Sequence, residues 1–241
     1  MTLKEVDSTN TFLKNILSNS KPVPEGTVIM AEDQFAGRGQ RENVWHAEPG
    51  KNLTFSILLK PTFIDAQSQF DVTRAASLGV YDALMPLLGH KLKIKWPNDI
   101  YYGSKKLGGM LIENILQGSQ IKHSVVGIGL NINQEHFPDN AGNATSVKQI
   151  LHKDYDLKNI LSEICGHIEA YYLNLKAGRF AFVRNTYISR LYLLNEGRHY
   201  RSNGQVFKGV IKHVTDEGML IIDKGGEETV FNFKEIEFLN Q

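Results

Sequence analysis

Cysteine is almost absent from this chain. Cys165 stands alone among 241 residues, so no intrachain disulfide framework can form, and a reducing compartment is implied. Long apolar runs are missing too. Nothing approaches the roughly 18 apolar residues of a membrane span, and Met1 to Thr9 has no apolar signal core. Charge of one sign is not in excess: the formal net charge of +1 gives no support to general attraction to nucleic acid. These absences predict a cytoplasmic protein with neither membrane nor nucleic acid as partner. What is present, 41% hydrophobic and 22% charged residues, suits an ordinary globular protein. The length allows one sizeable core, or one main domain plus a small one.

Several familiar site motifs are also missing. The eight histidines are scattered, with no His-x-x-x-His or Cys-x-x-Cys spacing for a structural zinc site. Gly50-Lys51 could end a phosphate-binding P-loop. The upstream glycine such a loop requires would fall at Trp45, however, and Asn52 stands where Ser or Thr is needed. Gly127-Ile128-Gly129 lacks the third glycine of a dinucleotide fingerprint. Cys165, Met110 and Met219 fit core positions.

No internal repeat or low-complexity tract occurs. Asp7-Ser8-Thr9-Asn10 supplies N-cap residues ahead of Phe12, Leu13, Ile16 and Leu17 at helical spacing. Strands are expected at 27–31 and 53–59, separated by a long polar, glycine-bearing loop over 34–51, a length often associated with function. Residues 70–88 have helical periodicity. Lys91 to Lys95 alternates as a half-buried strand does, is interrupted at Pro97-Asn98-Asp99, and resumes to Tyr102. Further strands are expected at 107–116 and 124–132. A long polar connection over 134–154 follows, then helix from Leu157 to about Arg190. After Asn195 short apolar runs alternate with turn signals, as in a small antiparallel barrel. The expectation is an α/β domain over 1–193 and a compact all-β domain over 194–241.

Three clusters can carry chemistry. Gly37-Arg38-Gly39-Gln40-Arg41, ahead of Trp45, can turn backbone N–H groups and two guanidinium groups toward an anion. A solvated loop is the plainer alternative. In Lys95-Trp96-Pro97-Asn98-Asp99, Trp96 can cover a ligand ring while Asn98 and Asp99 hold polar groups or magnesium-bound water. Alternatively, Trp96 plugs the core and Asn98-Asp99 forms a turn. In Lys105-Lys106-Leu107-Gly108-Gly109, a lysine can neutralise charge at a phosphoryl centre. The alternative is a charged turn before a strand whose glycines allow close backbone approach.

In this order, Asp-Ser-Thr-Asn at 7–10, Gln34, Gly-Arg-Gly at 37–39, Trp45, Lys-Trp-Pro-Asn-Asp at 95–99, Lys-Leu-Gly-Gly at 106–109 and Gly-Ile-Gly-Leu-Asn at 127–131 closely resemble the biotin–protein ligases. The resemblance covers about residues 5 to 135, and the C-terminal part more loosely. It implies an α/β (α+β), class II synthetase-like catalytic domain on a mixed sheet, followed by a small SH3-like β-barrel. It implies biotin and ATP as substrates, magnesium accompanying ATP, and the biotin carrier domain of a carboxylase as partner. A homodimer is compatible with it.

By the same resemblance Ser8, Thr9, Asn10 and Gln34 line the biotin pocket, where hydroxyl and amide groups suit a ureido ring. Gly39, Gly108, Gly109 and Gly129 let backbone pass close to the ligand. Arg38, Gly39, Gln40, Arg41 and Trp45 belong to a loop that orders over the adenylate. Lys106 contacts the biotin carboxylate and the α-phosphate, and with Arg38 carries the chemistry. Asn98 and Asn131 lie near the nucleotide. Gln40 and Asn43 replace basic residues of many relatives, which makes the loop less positive and bears on how well the adenylate is retained. Few residues precede Ser8, so the form without a DNA-binding domain, a ligase without repressor function, is expected. The rival readings are a lipoate–protein ligase, whose Arg-Arg, Gly-Gly-Gly and His-Asp pattern is missing here, a non-catalytic biotin sensor, and a nucleotide-binding adaptor.

Overall fold

The computed structural model describes residues 1–19, 22–39, 44–138 and 141–239. Its first part is a seven-stranded sheet made of β1 (Thr2–Val6), β2 (Val28–Gln34), β3 (Leu53–Leu59), β4 (Leu92–Lys95), β5 (Asp99–Tyr102), β6 (Lys105–Gln117) and β7 (Gln120–Leu130). The spatial order is β1-β2-β3-β7-β6-β5-β4. Only β1 and β2 pair in parallel; the other neighbours are antiparallel.

The two faces differ because side chains alternate along a strand. On one face Leu53, Phe55, Ile57 and Leu59 of β3, with Val126, Ile128 and Leu130 of β7, join the main core beneath α2 (Phe70–Leu88) and α4 (Leu157–Lys176). On the other face Leu58 and Val125 pack with Leu13 of α1 (Thr9–Ser18). Further along that second face the side chains become small or polar, and this change opens the site described below.

Two shorter helices, α3 (Val147–Leu151) and α5 (Phe180–Ser189), complete the α-helices among the described residues. α3 lies inside the segment expected to be an irregular connection, and its start is capped by the Ser146 hydroxyl, which accepts from the Gln149 N–H at 3.1 Å. β1 is also additional to the expected strands.

The C-terminal part is a five-stranded antiparallel sheet of β8 (Gly197–Ser202), β9 (Gln205–Val214), β10 (Leu220–Asp223), β11 (Glu228–Phe231) and β12 (Glu237–Phe238), ordered β11-β10-β9-β8-β12. Tyr200, Ile211, Leu220 and Phe231 share the same continuous core as β3 and α2. The two parts are joined by buried polar contacts. Arg74 on α2 is 1% exposed, pairs with Asp71 at 2.6 Å, and donates to the carbonyls of Thr215 and Asp216. Arg184 on α5 donates to the same Asp71 carboxylate at 2.7 Å and pairs with Asp216. Two guanidinium groups on one carboxylate satisfy a charge that would otherwise be costly to bury.

Trp96 falls on this joint rather than over a ligand. It is 4% exposed, its indole N–H donates to the Gly218 carbonyl at 2.8 Å, and its ring stacks on Phe233 at 5.4 Å. The idea that it covers a ligand ring is therefore corrected in favour of its alternative, a core plug. An indole is large and carries one donor, so burial against a carbonyl satisfies it completely.

Candidate active site

Sheet register builds the floor of a cavity. Thr54 of β3 stands opposite Gly129 of β7, which stands opposite Gly109 of β6. The next row is Ser56, Gly127 and Leu111, and the row after that Leu58, Val125 and Glu113. Gly109 also faces Asp99 of β5. Two rows in which every side chain but that of Leu111 is small or polar leave a trough of about 210 Å³ in mid-sheet, walled by α1, the end of β2, the 38–39 and 44–45 segments, and Pro97 to Asp99.

The glycines are occupied by other residues' side chains. A Cβ at Gly127 would strike the Asn10 carboxamide, with Cγ and Nδ2 both 2.9 Å away. One at Gly129 would lie 2.5 Å from the Trp45 indole, and one at Gly109 would lie 2.7 Å from the Asp99 carboxylate and 3.3 Å from the Lys106 ammonium. Asn10, Trp45 and the Asp99–Lys106 pair are thus laid out in sequence along the glycine floor.

At the Asn10 end the polar groups form a fixed network. Ser8 occupies the position before α1, but its side chain makes no cap bond. The open N–H of Thr9 is satisfied instead by the Gln34 carboxamide oxygen at 2.7 Å, so a strand side chain caps the helix. Ser56 donates to Asn10 Oδ1 at 2.6 Å and lies 2.7 Å from Thr9 Oγ1. Asn10 Nδ2 donates to the Leu111 carbonyl at 3.1 Å and to Glu113 Oε2 at 2.8 Å. Ser8, Thr9 and Asn10 are all buried.

At the far end Lys106 Nζ lies 2.7 Å from Asp99 Oδ1. Asn98 is buried and donates to the Met110 carbonyl, fixing the cavity wall. Over the middle, the Trp45 N–H donates to the Gly37 carbonyl at 2.9 Å and Arg38 bridges to Val44, so the two ends of the long loop are tied together. The indole N–H of Trp45 is buried and has no partner among the described residues. Arg38 reaches back from this loop to Thr11 Oγ1 at 3.1 Å and Glu113 Oε2 at 3.2 Å.

Of the residues singled out from sequence, Ser8, Thr9, Asn10, Gln34, Arg38, Gly39, Trp45, Asn98, Lys106, Gly109 and Gly129 line this one cavity. Gly108 does not: the space beyond it is taken by the Gly129 carbonyl, 2.5 Å from a built Cβ, and by Leu130. Asn131 lies outside the lining, donating from Nδ2 to the Thr145 carbonyl at 3.0 Å. Gln40, Arg41 and Asn43 fall outside the described residues. Thr54, Ser56 and Glu113 were not anticipated. Thr54 and Ser56 did leave a trace, two hydroxyl residues alternating within an otherwise apolar strand.

Among the described residues, no group of three His, Cys, Asp or Glu could hold a metal ion, and no helix is long and apolar enough to cross a membrane.

Comparison with known proteins agrees with this geometry. The family described as Biotin/lipoate A/B protein ligase matches residues 3–131. The bifunctional ligase/repressor BirA of Bacillus spizizenii is 31% identical over 224 residues, 90% of this chain and 67% of that protein. The Bacillus subtilis counterpart is 32% identical, and 62% of its length is matched. The chain thus spans about two-thirds of those relatives. The biotin–[acetyl-CoA-carboxylase] ligase of Paracoccus denitrificans is 28% identical over 91% of this chain and 92% of its own length. The biotin protein ligase of Aquifex aeolicus, solved in complex with biotin and ATP, superposes with a TM-score of 0.81 at 28% identity, covering 100% of this chain and 98% of that one. The chain belongs to the biotin/lipoate A/B protein ligase family, among its biotin–protein ligases.

Proposed function

We infer that this chain adenylates biotin with ATP and passes the biotinyl group to a lysine of a carboxylase's biotin carrier domain. One observation carries the reading. A narrow trough has neutral hydrogen-bonding groups at one end, Thr9, Asn10 and Gln34, the first two held by the buried Ser56 hydroxyl, and a cation, Lys106, at the other. A ureido ring needs both donors and acceptors, and a carboxylate meeting a phosphate needs positive charge.

In the first step a biotin carboxylate oxygen attacks the ATP α-phosphorus. A carbonyl–O–P linkage forms, the bond to the bridging oxygen breaks, and pyrophosphate leaves with that electron pair. Lys106 neutralises charge on the α-phosphate oxygens, and Arg38 adds to this once it turns from Glu113 toward the phosphate. In the second step the neutral amine of the acceptor lysine attacks the acyl carbon. An amide forms, AMP leaves, and the amine's proton passes to solvent. The mixed anhydride is readily hydrolysed, so the loop carrying Arg38 and Trp45 serves to exclude water. Gln40 and Asn43 in that loop reduce its positive charge, which favours escape of the adenylate.

We assign magnesium to the phosphates of ATP. Among the described lining residues Asp99 is the only carboxylate, and Lys106 occupies it; magnesium in such sites keeps phosphate and water ligands. We further propose that residues 1–193 form the catalytic unit and 194–241 an accessory one. The lone Cys165, partly buried in α4, suits a reducing cytoplasm. Mass-spectrometric detection of a biotinyl group on a carrier-domain lysine, after incubation with ATP, magnesium and biotin, tests the reading. Transfer of lipoate in preference to biotin would overturn it.

A further inference from the structure

We propose that Glu113 is a positioning residue for the reaction, holding the biotin-end amide of Asn10 in one orientation and giving Arg38 its resting place. The inference rests on the ligase reading above.

Glu113 sits on β6 beside the cavity but outside its lining. Its carboxylate collects three donors from two other parts of the chain. Oε1 accepts from Lys14 at 2.6 Å, while Oε2 accepts from Asn10 at 2.8 Å and from Arg38 at 3.2 Å. Asn10 and Arg38 both line the cavity; Lys14 does not. Burial pushes the carboxyl's pKa up, but hydrogen bonds from Lys14 and Asn10 and the charges of Arg38 and Lys14 outweigh it, holding the group below the ordinary carboxylate range.

The consequences for Asn10 and Arg38 differ. Asn10's Nδ2 meets two acceptors, Leu111 and Glu113, while its Oδ1 meets the Ser56 hydroxyl. A flipped amide would set an oxygen against the Leu111 carbonyl and against a charged carboxylate, so Glu113 adds the larger penalty to the flip. Arg38 shares Oε2 with Asn10 and its side chain is 40% exposed. It can leave without stranding a bare charge, because Lys14 stays on the carboxylate. Glu113 therefore strengthens biotin binding and competes mildly with phosphate for Arg38.

The test is Glu113→Gln in the full chain, with steady-state adenylate formation measured against each substrate. A neutral amide offers one acceptor oxygen to three donors. The KM for biotin should rise about tenfold, the loss expected when a buried polar group is left mispaired. The KM for ATP should stay level or fall. A biotin constant within twofold of wild type, or an ATP constant rising in step with it, overturns the assignment. Lys14→Met removes an ion pair and spares both cavity residues, so its biotin constant should stay within threefold. An equal rise there would reduce Glu113 to a strut between α1 and the sheet. A wild-type chain that fails to form adenylate at all would instead sink the ligase reading, and this inference with it.

Discussion

The Lys106 ammonium and the Asp99 carboxylate meet at 2.7 Å above Gly109, at the end of the trough opposite Asn10. Both side chains are partly exposed, at 35% and 23%, so the pair contributes little to stability, at most about 1 kcal/mol. Its use is to aim an extended lysine along the floor.

Lys106→Ala should therefore leave the melting transition nearly unchanged while adenylate formation falls by about 100-fold or more, the usual consequence of removing one charge-stabilising group. Thermal denaturation alongside pyrophosphate release checks this. Near-normal turnover in the variant would remove Lys106 from the chemistry.

Gly127→Ala probes the floor. The added methyl meets the Asn10 carboxamide, which is short and held on both sides by Ser56 and Glu113. Overpacking of this kind costs about 1–3 kcal/mol, and here it should fall mainly on the ligand. Calorimetry should find biotin affinity reduced between about tenfold and a hundredfold. Unchanged affinity would mean that Asn10 is not a biotin contact.

Trp96→Phe keeps a ring against Phe233 but leaves the Gly218 carbonyl without its donor. The variant should lose about 1–3 kcal/mol of stability in urea melts while binding biotin within threefold of wild type. Lost biotin affinity with full stability would restore the ligand-covering role.

Which parts of this could be read from the sequence depended on how far apart the interacting residues lie. Strand β3 and helix α2 follow from local alternation and periodicity, and the bounds expected for both coincide with those found. β1 was missed because its burial is slight and it becomes a strand only by pairing with β2. The fate of Trp96 depended on Gly218, more than 120 positions later. Glu113 was invisible for the same reason: a single acid on a strand carries no signal until Asn10, 103 positions earlier, is folded against it. The glycines at 109, 127 and 129 were conspicuous, but what they make room for was a matter of register.

Tyr200 offers a test by pH. Burial is the main cause that raises its phenol to about 12, and the hydroxyl has no partner among the described residues. A raised folded-state value means that the phenol's contribution is fully present below the ordinary value of 10.0 and is lost as pH climbs toward about 12. Tyr200→Phe removes an unsatisfied buried group and should gain up to about 1 kcal/mol at neutral pH. Its advantage should widen at pH 11, because the wild type alone must hold that phenol neutral. A gap in denaturation midpoints that shrinks at pH 11 would contradict this.

The central claim is that a cation and a set of neutral hydrogen-bonding groups share one trough to join a biotin carboxylate to AMP. The most direct measurement is to incubate the purified chain with biotin, ATP and magnesium, without any acceptor protein, and look for biotinyl-AMP by mass spectrometry with matching pyrophosphate. The account predicts both products from the wild type and about 100-fold less of each, or lower still, from Lys106→Ala. Biotin bound in the wild type with no adenylate formed, or adenylate made equally well by the variant, would contradict it.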